Sequence, residues 1–368
     1  MTDPEPRDAG NPAKPVRAED AFDVAAMAGW LRGHADPAFA DVVVGEPEVR
    51  QFPGGASNLT YLLRYPAGDL ILRRPPAGTK ARSAHDMRRE HDIQAALHPV
   101  FPLVARMVAF CEDADVIGSD FYVMERLDGV IPRRDLPFDL TPEGTGELCR
   151  SAYDVLVRLH SVDVEAAGLA GLGRGEGYVA RQVAGWTDRF ARARTDDTGD
   201  WSDVIEWLAA EQPPDVGACL IHNDFRFDNL VLGGGPPGPD PVHIVGVLDW
   251  EMATVGDPLM DLGGALAYWV QADDDEFFQG FRRQPSSAAG MWTREEIVAW
   301  YCRRMGLEMT AERWRFYEVF GLFRLAVIAQ QIWYRYVHGQ THNEAYAVFG
   351  PAVGYLESRC RRLLGGEA

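Results

Sequence analysis

The hydrophobic positions change their spacing about one third of the way along the chain. In the first third, short apolar runs punctuated by Gly and Pro predict strands over 42–52, 59–65, 69–73, 101–110 and 120–126. Helical spacing over 21–31 and 83–97 predicts two helices in the same region. The later apolar residues follow a helical period over 147–160, 177–194, 201–210, 258–270, 294–305, 311–337 and 344–364. The chain is therefore expected to have a sheet-rich first third and a helix-rich remainder.

Two short apolar runs interrupt the helical part, and each leads into polar residues. Residues 219–221 precede His222, Asp224 and Asn229 in the spacing H-x-D-x-x-x-x-N, and residues 244–248 precede Asp249. A Gly/Pro-rich loop over 233–241 separates the runs, so we expect the runs to pair as strands and to bring Asp224, Asn229 and Asp249 together. The alternative is that both polar segments are ordinary turns, which Asn and Asp favour.

These residue types suit phosphoryl transfer to an alcohol. The reaction needs a carboxylate that accepts the hydroxyl proton and oxygen ligands that hold Mg²⁺ against the phosphates. Asp224 fits the first role, and Asn229 and Asp249 fit the second. Protein-kinase catalytic loops have the same arrangement. We therefore expect ATP and Mg²⁺ as cofactors.

The first third contains candidates for nucleotide binding. The segment PGGASN lies between two predicted strands, and its glycines would let backbone amides approach phosphates. The candidates there are Gly54, Gly55, Ser57 and Asn58, although such a turn is also common in plain hairpins. On the third strand, Arg73 would reach the α- and β-phosphates, and the strand's alternation points Arg74 to the other face.

Two further elements complete this predicted nucleotide site. Glu90, in the helix over 83–97, would hold Arg73 in place, or would be a solvated glutamate in a charged run. The backbone of residues 124–127, which includes Glu125 and Leu127, would bind the adenine edge. The same segment is also explained as a core strand.

Composition restricts the class of protein. The 368 residues, 46% of them hydrophobic, can form two packed domains, and a net charge of −19 with a pI near 4.9 argues against nucleic-acid partners. Five widely spaced cysteines favour neither zinc nor disulfides, which suits the cytoplasm. Charged residues within 319–337 favour a buried helix over a membrane span. We predict a disordered lead over 1–20 without a signal peptide, a nucleotide-binding N-lobe over 21–126, and a catalytic, acceptor-binding C-lobe over 127–368.

The motifs together resemble the aminoglycoside phosphotransferase superfamily, whose fold is similar to that of protein kinases. HNDFRFDN is similar to its catalytic loop, VLDWE to its metal-binding segment, and REHDIQAAL to its regulatory helix. FPGGASNLTYLL, LILRRPP and LDWEMATVGDPLMDLGG resemble a branch that occurs alone in bacteria or fused to acyl-CoA dehydrogenase-like domains. The resemblance runs from about residue 52 to 305. It implies an α+β, bilobal fold with a small N-lobe (an antiparallel sheet and one main helix) and a larger, mostly helical C-lobe with a catalytic β-hairpin.

The resemblance also implies residue roles. Asp224 would be the catalytic base, Asn229 and Asp249 would hold Mg²⁺, and Asp261 would accept amides of the catalytic loop as structural support. His222 would pack and hydrogen-bond, and Glu251 and Asp257 would order the segment after the metal ligand. Arg226 would either neutralise phosphate charge or have a surface or ion-pair role. Many superfamily members have Lys where this chain has Arg73. The guanidinium of Arg is planar and has several donors, whereas the ammonium of Lys is a compact charge. The sequence therefore does not determine how this residue would contact the phosphates.

The expected function is transfer of the γ-phosphate of ATP to a hydroxyl of a small molecule. The branch implies a hydroxyacyl-CoA acceptor and a functional link to acyl-CoA dehydrogenase-type enzymes, with Arg133 and Arg134 as contributors to a basic pocket. The superfamily name implies an aminoglycoside, whose ammonium groups could meet the acidic run at 273–276, although that run also suits a helix start. Two other hypotheses are a nucleotide-binding module without turnover and a metal-dependent hydrolase. Neither nucleic acid nor membrane is an expected partner.

Overall fold

The computed structural model describes residues 13–53, 58–76, 86–236, 238 and 240–365. Its strands are β1 (Lys14–Pro15), β2 (Glu48–Gln51), β3 (Leu59–Tyr65), β4 (Gly68–Arg74), β5 (Met107–Cys111), β6 (Phe121–Glu125), β7 (Cys219–Ile221), β8 (Leu230–Gly233), β9 (His243–Val247) and β10 (Thr254–Gly256). Its helices are α1 (Val24–His34), α2 (Met87–Leu97), α3 (Ala114–Ile117), α4 (Pro142–His160), α5 (Tyr178–Ala193), α6 (Ser202–Ala210), α7 (Pro258–Leu266), α8 (Glu276–Gly280), α9 (Arg294–Met305), α10 (Ala311–Val337) and α11 (Phe349–Leu364).

The chain divides into two compact units. The first unit contains the chain up to Leu140 together with Phe227–Ala253, and the second contains Thr141–Arg226 with the chain from Thr254 onwards. The first unit therefore holds β1–β6, the hairpin β8–β9 and α1–α3. The second holds the pair β7–β10 and α4–α11. The predicted lobe boundaries stay a prediction.

The first unit is built on a six-stranded antiparallel sheet. The strand order is β1-β2-β3-β4-β6-β5, and the sequence neighbours β2, β3 and β4 pair in succession. Along β3, Tyr61 and Leu63 enter one core cluster and Leu62 enters another, as the two-residue period of a strand requires. The predicted strand over 42–52 is shorter in the structure, because Gly45 has a positive φ of 83° and Pro47 cannot donate a ladder hydrogen bond.

The hairpin β8–β9 corrects the pairing expected from sequence. Residues 244–247 pair with β8, whereas β7 pairs with β10, so the predicted pairing of 219–221 with 244–248 is wrong. The connection between β8 and β9 is shorter than the one that the predicted pairing would close, so its closure costs less entropy. The hairpin also packs within the sheet-bearing unit rather than among the helices. Val130 bridges to Leu232 of β8, and the amide of Val247 in β9 donates to the Leu103 carbonyl at 2.7 Å.

The structure corrects part of the expectation for the disordered lead. Residues 1–12 lie outside the described residues, but β1 pairs with residues 50–51 of β2. The carbonyl of Asp20 accepts from the Tyr61 hydroxyl at 2.8 Å and from Nη2 of Arg74 at 2.5 Å. Because Arg74 is buried, its guanidinium needs these acceptors, and this requirement orders residues that composition alone marks as flexible.

Close helix packing organises the second unit. A Cβ at Gly263 of α7 would lie 2.6 Å from the Tyr317 carbonyl oxygen, and one at Gly321 of α10 would lie 2.3 Å from the Gly263 carbonyl oxygen. Glycine at these positions therefore lets α7 and α10 touch through their backbones. Among the described residues, no helix combines the length and the apolar character needed to cross a membrane.

Candidate active site

A cavity of about 250 Å³ lies within the first unit. Its apolar lining comes from both the sheet and the hairpin, and includes Ile71, Ala105, Met124, Leu127, Val231 and Leu248. Its polar lining includes Asn58, Arg73, Gln94, Arg133, Asn229 and Asp249. A cavity that combines apolar lining with polar and charged groups is a usual form of a small-molecule site.

Arg73 links two carboxylates at this cavity. Its Nη1 donates to Oε1 of Glu90 at 2.6 Å, and its Nη2 donates to Oδ1 of Asp249 at 3.3 Å. The Arg73 side chain is 12% exposed and that of Glu90 only 2%. The structure therefore brings together Arg73, Glu90 and Asp249, as the ion-pair hypothesis expects. Their roles toward a nucleotide stay predictions.

Burial and the neighbouring charges act in opposite directions on this pair. Burial raises the pKa of the Glu90 carboxyl above its ordinary value, and the Arg73 guanidinium opposes that shift. Burial by itself would lower the pKa of Arg73, but Glu90 and Asp249 are among the groups that outweigh it and raise that pKa. The Arg73 charge is consequently fixed, and the ionised form of Glu90 depends on it.

Groups behind Glu90 hold it toward Arg73. The hydroxyl of the fully buried Tyr122 hydrogen-bonds Glu90, and Nε2 of Gln94 lies 3.3 Å from that hydroxyl oxygen. On the other side, the Asn58 amide lies 3.4 Å from Oε2 of Glu90. The carboxylate thus contacts two side chains besides its charged partner, those of Tyr122 and Asn58, and Gln94 holds the Tyr122 hydroxyl.

The segment after Asp249 is tied to α2. Asn58 also lies 3.4 Å from Oε2 of Glu251, and Nη1 of Arg89 donates to the Glu251 carbonyl at 2.9 Å. Nη2 of Arg89 donates to the carbonyl of Ala253. Glu251 therefore orders this segment within the first unit, as expected. The Arg89 side chain holds the segment through two of its main-chain carbonyls.

The strand end at Glu125 lines the cavity from the sheet side. The Glu125 amide donates to the Arg106 carbonyl at 2.9 Å, and its Oε1 accepts from the Arg106 amide at the same distance. Leu127 packs where Gly246 of β9 leaves room, since a Cβ there would lie 2.1 Å from the Leu127 side chain. Both residues line the cavity, and their contact with an adenine stays a prediction.

Asn229 and Asp249 are the candidate metal ligands in the first unit. Asn229 is the last residue of a short 3-10 turn (Phe227–Asn229), and Asp249 comes two residues after β9. The Leu248 amide donates to the Asn229 carbonyl at 2.8 Å, which brings the two positions side by side. Both line the cavity, and Asn229 is 8% exposed. One carboxylate and one amide oxygen suit Mg²⁺. Oδ1 of Asp249 lies 3.3 Å from Nη2 of Arg73, so this carboxylate already accepts from a cationic group.

Asp224 lies in the second unit, on the loop that follows β7. The amides of His222 and Asn223 donate to Asp261 at 2.8 and 2.7 Å, and the Asp224 amide lies 3.2 Å from Nδ1 of His222. Asn223 has a positive φ of 63°, a conformation that Asn tolerates better than most residues. The structural roles expected for Asp261 and His222 are confirmed by these bonds.

Asp261 is fully buried and remains ionised. Its burial would raise the pKa, but His160, whose Nε2 lies 3.0 Å from Oδ2, and the amide of His222 lower it below the ordinary value. A carboxylate only accepts, so Nε2 of His160 carries the proton in this contact. The loop before Asp224 thus rests on a charged, hydrogen-bonded anchor.

Arg226 lies close to Asp224. Its Nε lies 3.5 Å from Oδ1 of Asp224, and its guanidinium stacks 4.7 Å from the ring centroid of Tyr268. The structure shows an ion pair, and the contact of Arg226 with phosphate stays a prediction.

The other acidic candidates make internal contacts in the second unit. Asp257 caps α7 and accepts the Val216 amide at 2.7 Å, which is the ordering role predicted for it. In the run at 273–276, Asp274 pairs with Arg294 at 2.7 Å and with Arg359 at 2.9 Å. Asp275 caps α8. The run therefore starts a helix and anchors two arginines.

Some site residues were not predictable, and some cannot be placed. Gly54, Gly55 and Ser57 lie outside the described residues, so their predicted phosphate contacts stay predictions. Sequence reasoning missed Arg89 and Tyr122, which fix the Glu251 segment and Glu90. The RRE triplet before Glu90 carries a weak signal for Arg89, and Tyr122 carries none beyond its strand pattern.

Known proteins are similar to this chain in sequence over most of its length. The sequence profile of the phosphotransferase enzyme family matches residues 48–297. Acyl-CoA dehydrogenase family member 10 of Mus musculus is 34% identical over 90% of this chain, and member 11 of Gallus gallus is 33% identical over 94%. The matches cover 30% and 44% of those proteins, so the chain spans less than half the length of these curated relatives.

Solved structures show the fold. A candidate aminoglycoside phosphotransferase of Ralstonia eutropha has a TM-score of 0.76 and 28% identity, and the match covers 93% of this chain and 99% of the other. Choline kinase of Cryptosporidium parvum has a TM-score of 0.60 and 12% identity, with coverage of 94% and 96%. The predicted α+β kinase-like fold is confirmed.

Proposed function

Because the chain belongs to the phosphotransferase enzyme family, we propose that it transfers the γ-phosphate of ATP to a hydroxyl of a small molecule. The observation that carries the proposal is the cavity of the first unit, where Arg73 joins Glu90 to Asp249 beside Asn229. A cation that neutralises phosphate charge and oxygen ligands for Mg²⁺ are parts that nucleotide-dependent phosphoryl transfer requires.

Each residue has a definite task in the proposed reaction. The acceptor oxygen forms a bond to the γ-phosphorus, the bond from that phosphorus to the β,γ-bridging oxygen breaks, and ADP leaves. The hydroxyl proton passes to a carboxylate oxygen of Asp224. Arg73 neutralises phosphate charge while Glu90 fixes its guanidinium. When bound, a Mg²⁺ ion on Asn229 and Asp249 would supply further charge neutralisation at the phosphates.

We propose a hydroxyacyl-CoA as the acceptor. The proposal is supported by the relatives that carry a similar segment, whose names place them among acyl-CoA dehydrogenases. Arg133 lines the cavity of the first unit and is a candidate for CoA phosphates. The acidic run favours the aminoglycoside alternative less than it did from sequence alone, because Asp274 and Asp275 are engaged internally.

The test is transfer of labelled γ-phosphate from Mg·ATP to a panel of acceptors. The panel holds hydroxyacyl-CoAs with the hydroxyl at successive carbons, the matching acyl-CoAs without a hydroxyl, aminoglycosides and amino alcohols. We expect label on hydroxyacyl-CoAs only. Label on aminoglycosides would select the alternative acceptor. Nucleotide binding without transfer to any acceptor that carries a hydroxyl would contradict the proposed reaction.

A further inference from the structure

The peptide group that joins Asn223 to Asp224 is held from both sides within the second unit. Its carbonyl oxygen, on Asn223, accepts from Nη2 of Arg324 at 2.8 Å. Its amide, on Asp224, lies 3.2 Å from Nδ1 of His222. The preceding amide, of Asn223, donates to Asp261. The peptide immediately before the candidate base therefore has a fixed plane.

The side chain of Asn223 is held as well. The hydroxyl of Tyr178 donates to its Oδ1 at 3.4 Å. Asn223 has a positive φ of 63°, a region that costs free energy for any residue with a side chain. A conformation of this kind persists only where neighbouring groups hold it in place. Here the hydrogen bonds of the Asn223 amide, carbonyl and side chain do so.

Arg324 reaches the loop from the middle of α10. It is 9% exposed, and its guanidinium lies 5.4 Å from the ring centroid of Trp186. Among the residues that the structure describes, no carboxylate lies within 4.0 Å of it. A buried arginine without an ion pair needs strong acceptors. Within the described part of the chain, the carbonyl of Asn223 is such an acceptor.

The neighbouring helix leaves room for this contact. A Cβ at Gly264 of α7 would lie 2.6 Å from Nη1 of Arg324. Gly264 follows Asp261 by three residues, so it lies on the same face of α7. One face of α7 thus supplies both the acceptor for the Asn223 amide and the space for the donor to the Asn223 carbonyl.

We propose that Arg324 is a positioning residue, which acts through the Asn223 carbonyl to aim the Asp224 carboxylate at the acceptor hydroxyl. This inference rests on the proposed kinase activity. A charge-assisted hydrogen bond is about twice as strong as a neutral one, so the charge of Arg324 resists rotation of the peptide. Losing that restraint lets the carboxylate leave its reactive position, while nucleotide binding in the first unit is unaffected.

The test compares Arg324→Met and Arg324→Lys with Arg335→Met, an exposed arginine of the same helix. We expect Arg324→Met to lower kcat about 10–100-fold, because misplacement of a reacting group by about 1 Å costs this much. The acceptor KM and the Kd for Mg·ATP should stay within about twofold, as for a change felt only in the transition state. Arg324→Lys and added guanidinium ion should restore part of kcat. A wild-type kcat in Arg324→Met, or a raised acceptor KM with an unchanged kcat, would overturn the inference.

A second readout keeps the inference testable without turnover. Hydrogen exchange at the amides of Asn223 and Asp224 should quicken at least about tenfold in Arg324→Met, since the restraint on local opening is lost. If that variant fails to fold, Gly264→Ala replaces it, because its methyl group displaces only the flexible end of Arg324. Unchanged exchange in the folded variant would overturn the inference. Wild-type protein that transfers no phosphate would defeat the proposed function, and exchange would still decide the role of Arg324.

Discussion

The buried ion pair between Arg73 and Glu90 allows a quantitative prediction. Both side chains are nearly inaccessible, and Nη1 lies 2.6 Å from Oε1. Arg73→Met leaves the Glu90 carboxylate buried without its cation, which costs about 3–5 kcal/mol for a pair of this kind. Replacing both partners by apolar residues, Arg73→Met with Glu90→Leu, should cost less than the sum of the single changes. We expect a coupling free energy of about 2–3 kcal/mol.

The pH dependence of the single variant follows from the direction of the shift at Glu90. Burial holds the folded-state pKa of Glu90 above its ordinary value of 4.5, and removing Arg73 removes the group that opposes this. A carboxyl whose pKa is raised in the folded state contributes stability below the unfolded pKa and loses it as the pH rises through the folded pKa. The deficit of Arg73→Met should therefore be smallest below about pH 4.5 and should grow as the pH rises.

The assay is hydrogen exchange in β4 and α2, which reports the free energy of opening within the first unit alone. The matched control is Arg88→Met. Arg88 lies on α2, the helix of Glu90, and pairs with Glu112, but their side chains are 50% and 66% exposed, so water screens the pair and the change should cost far less stability than Arg73→Met. A deficit for Arg73→Met no larger than that of the control, or one independent of pH, would refute the reasoning.

Three further predictions concern single positions. Asp249→Asn should raise the Mg²⁺ concentration needed for nucleotide binding at least about tenfold, measured by metal titration, and an unchanged titration would remove it from the metal site. Asp257→Ala should lower the free energy of unfolding of the second unit by about 2–4 kcal/mol, because three amides, two of them buried, lose their acceptor; a loss near zero in a denaturation experiment would contradict this. Gly129→Ala should destabilise the hairpin by about 1–3 kcal/mol, since its Cβ would lie 2.5 Å from the Leu232 carbonyl oxygen, and wild-type thermal stability would count against that clash.

The parts of the fold that sequence predicts well depend on local patterns. The strand of Arg73 and the helix of Glu90 follow from short-range periodicity, and their pairing follows from the order strand then helix. The spacing of Asp224, Asn229 and Asp249 is likewise local. Residues close in sequence limit one another's geometry, so these features can be recognised from the sequence alone.

Long-range contacts explain what sequence did not predict. The Arg324 donor and its Asn223 acceptor are 101 residues apart, and Arg89 and the Glu251 carbonyl are 162 apart, with no pattern to join them. β8 has only four residues and ends at a glycine, so its apolar run is too short to identify it as the partner of β9. Burial of Arg74 against the Asp20 carbonyl orders a segment whose composition resembles a disordered one.

The most direct measurement of the central claim is the single-turnover rate of phosphate transfer in Asp224→Asn, with the Kd for Mg·ATP measured on the same protein. We expect the rate to fall about 10²–10⁴-fold, the usual contribution of a general base, with the Kd within about twofold. Asp188→Asn, an exposed change on α5, should leave both unchanged. Transfer at the wild-type rate by Asp224→Asn would contradict a kinase that uses Asp224 as its base.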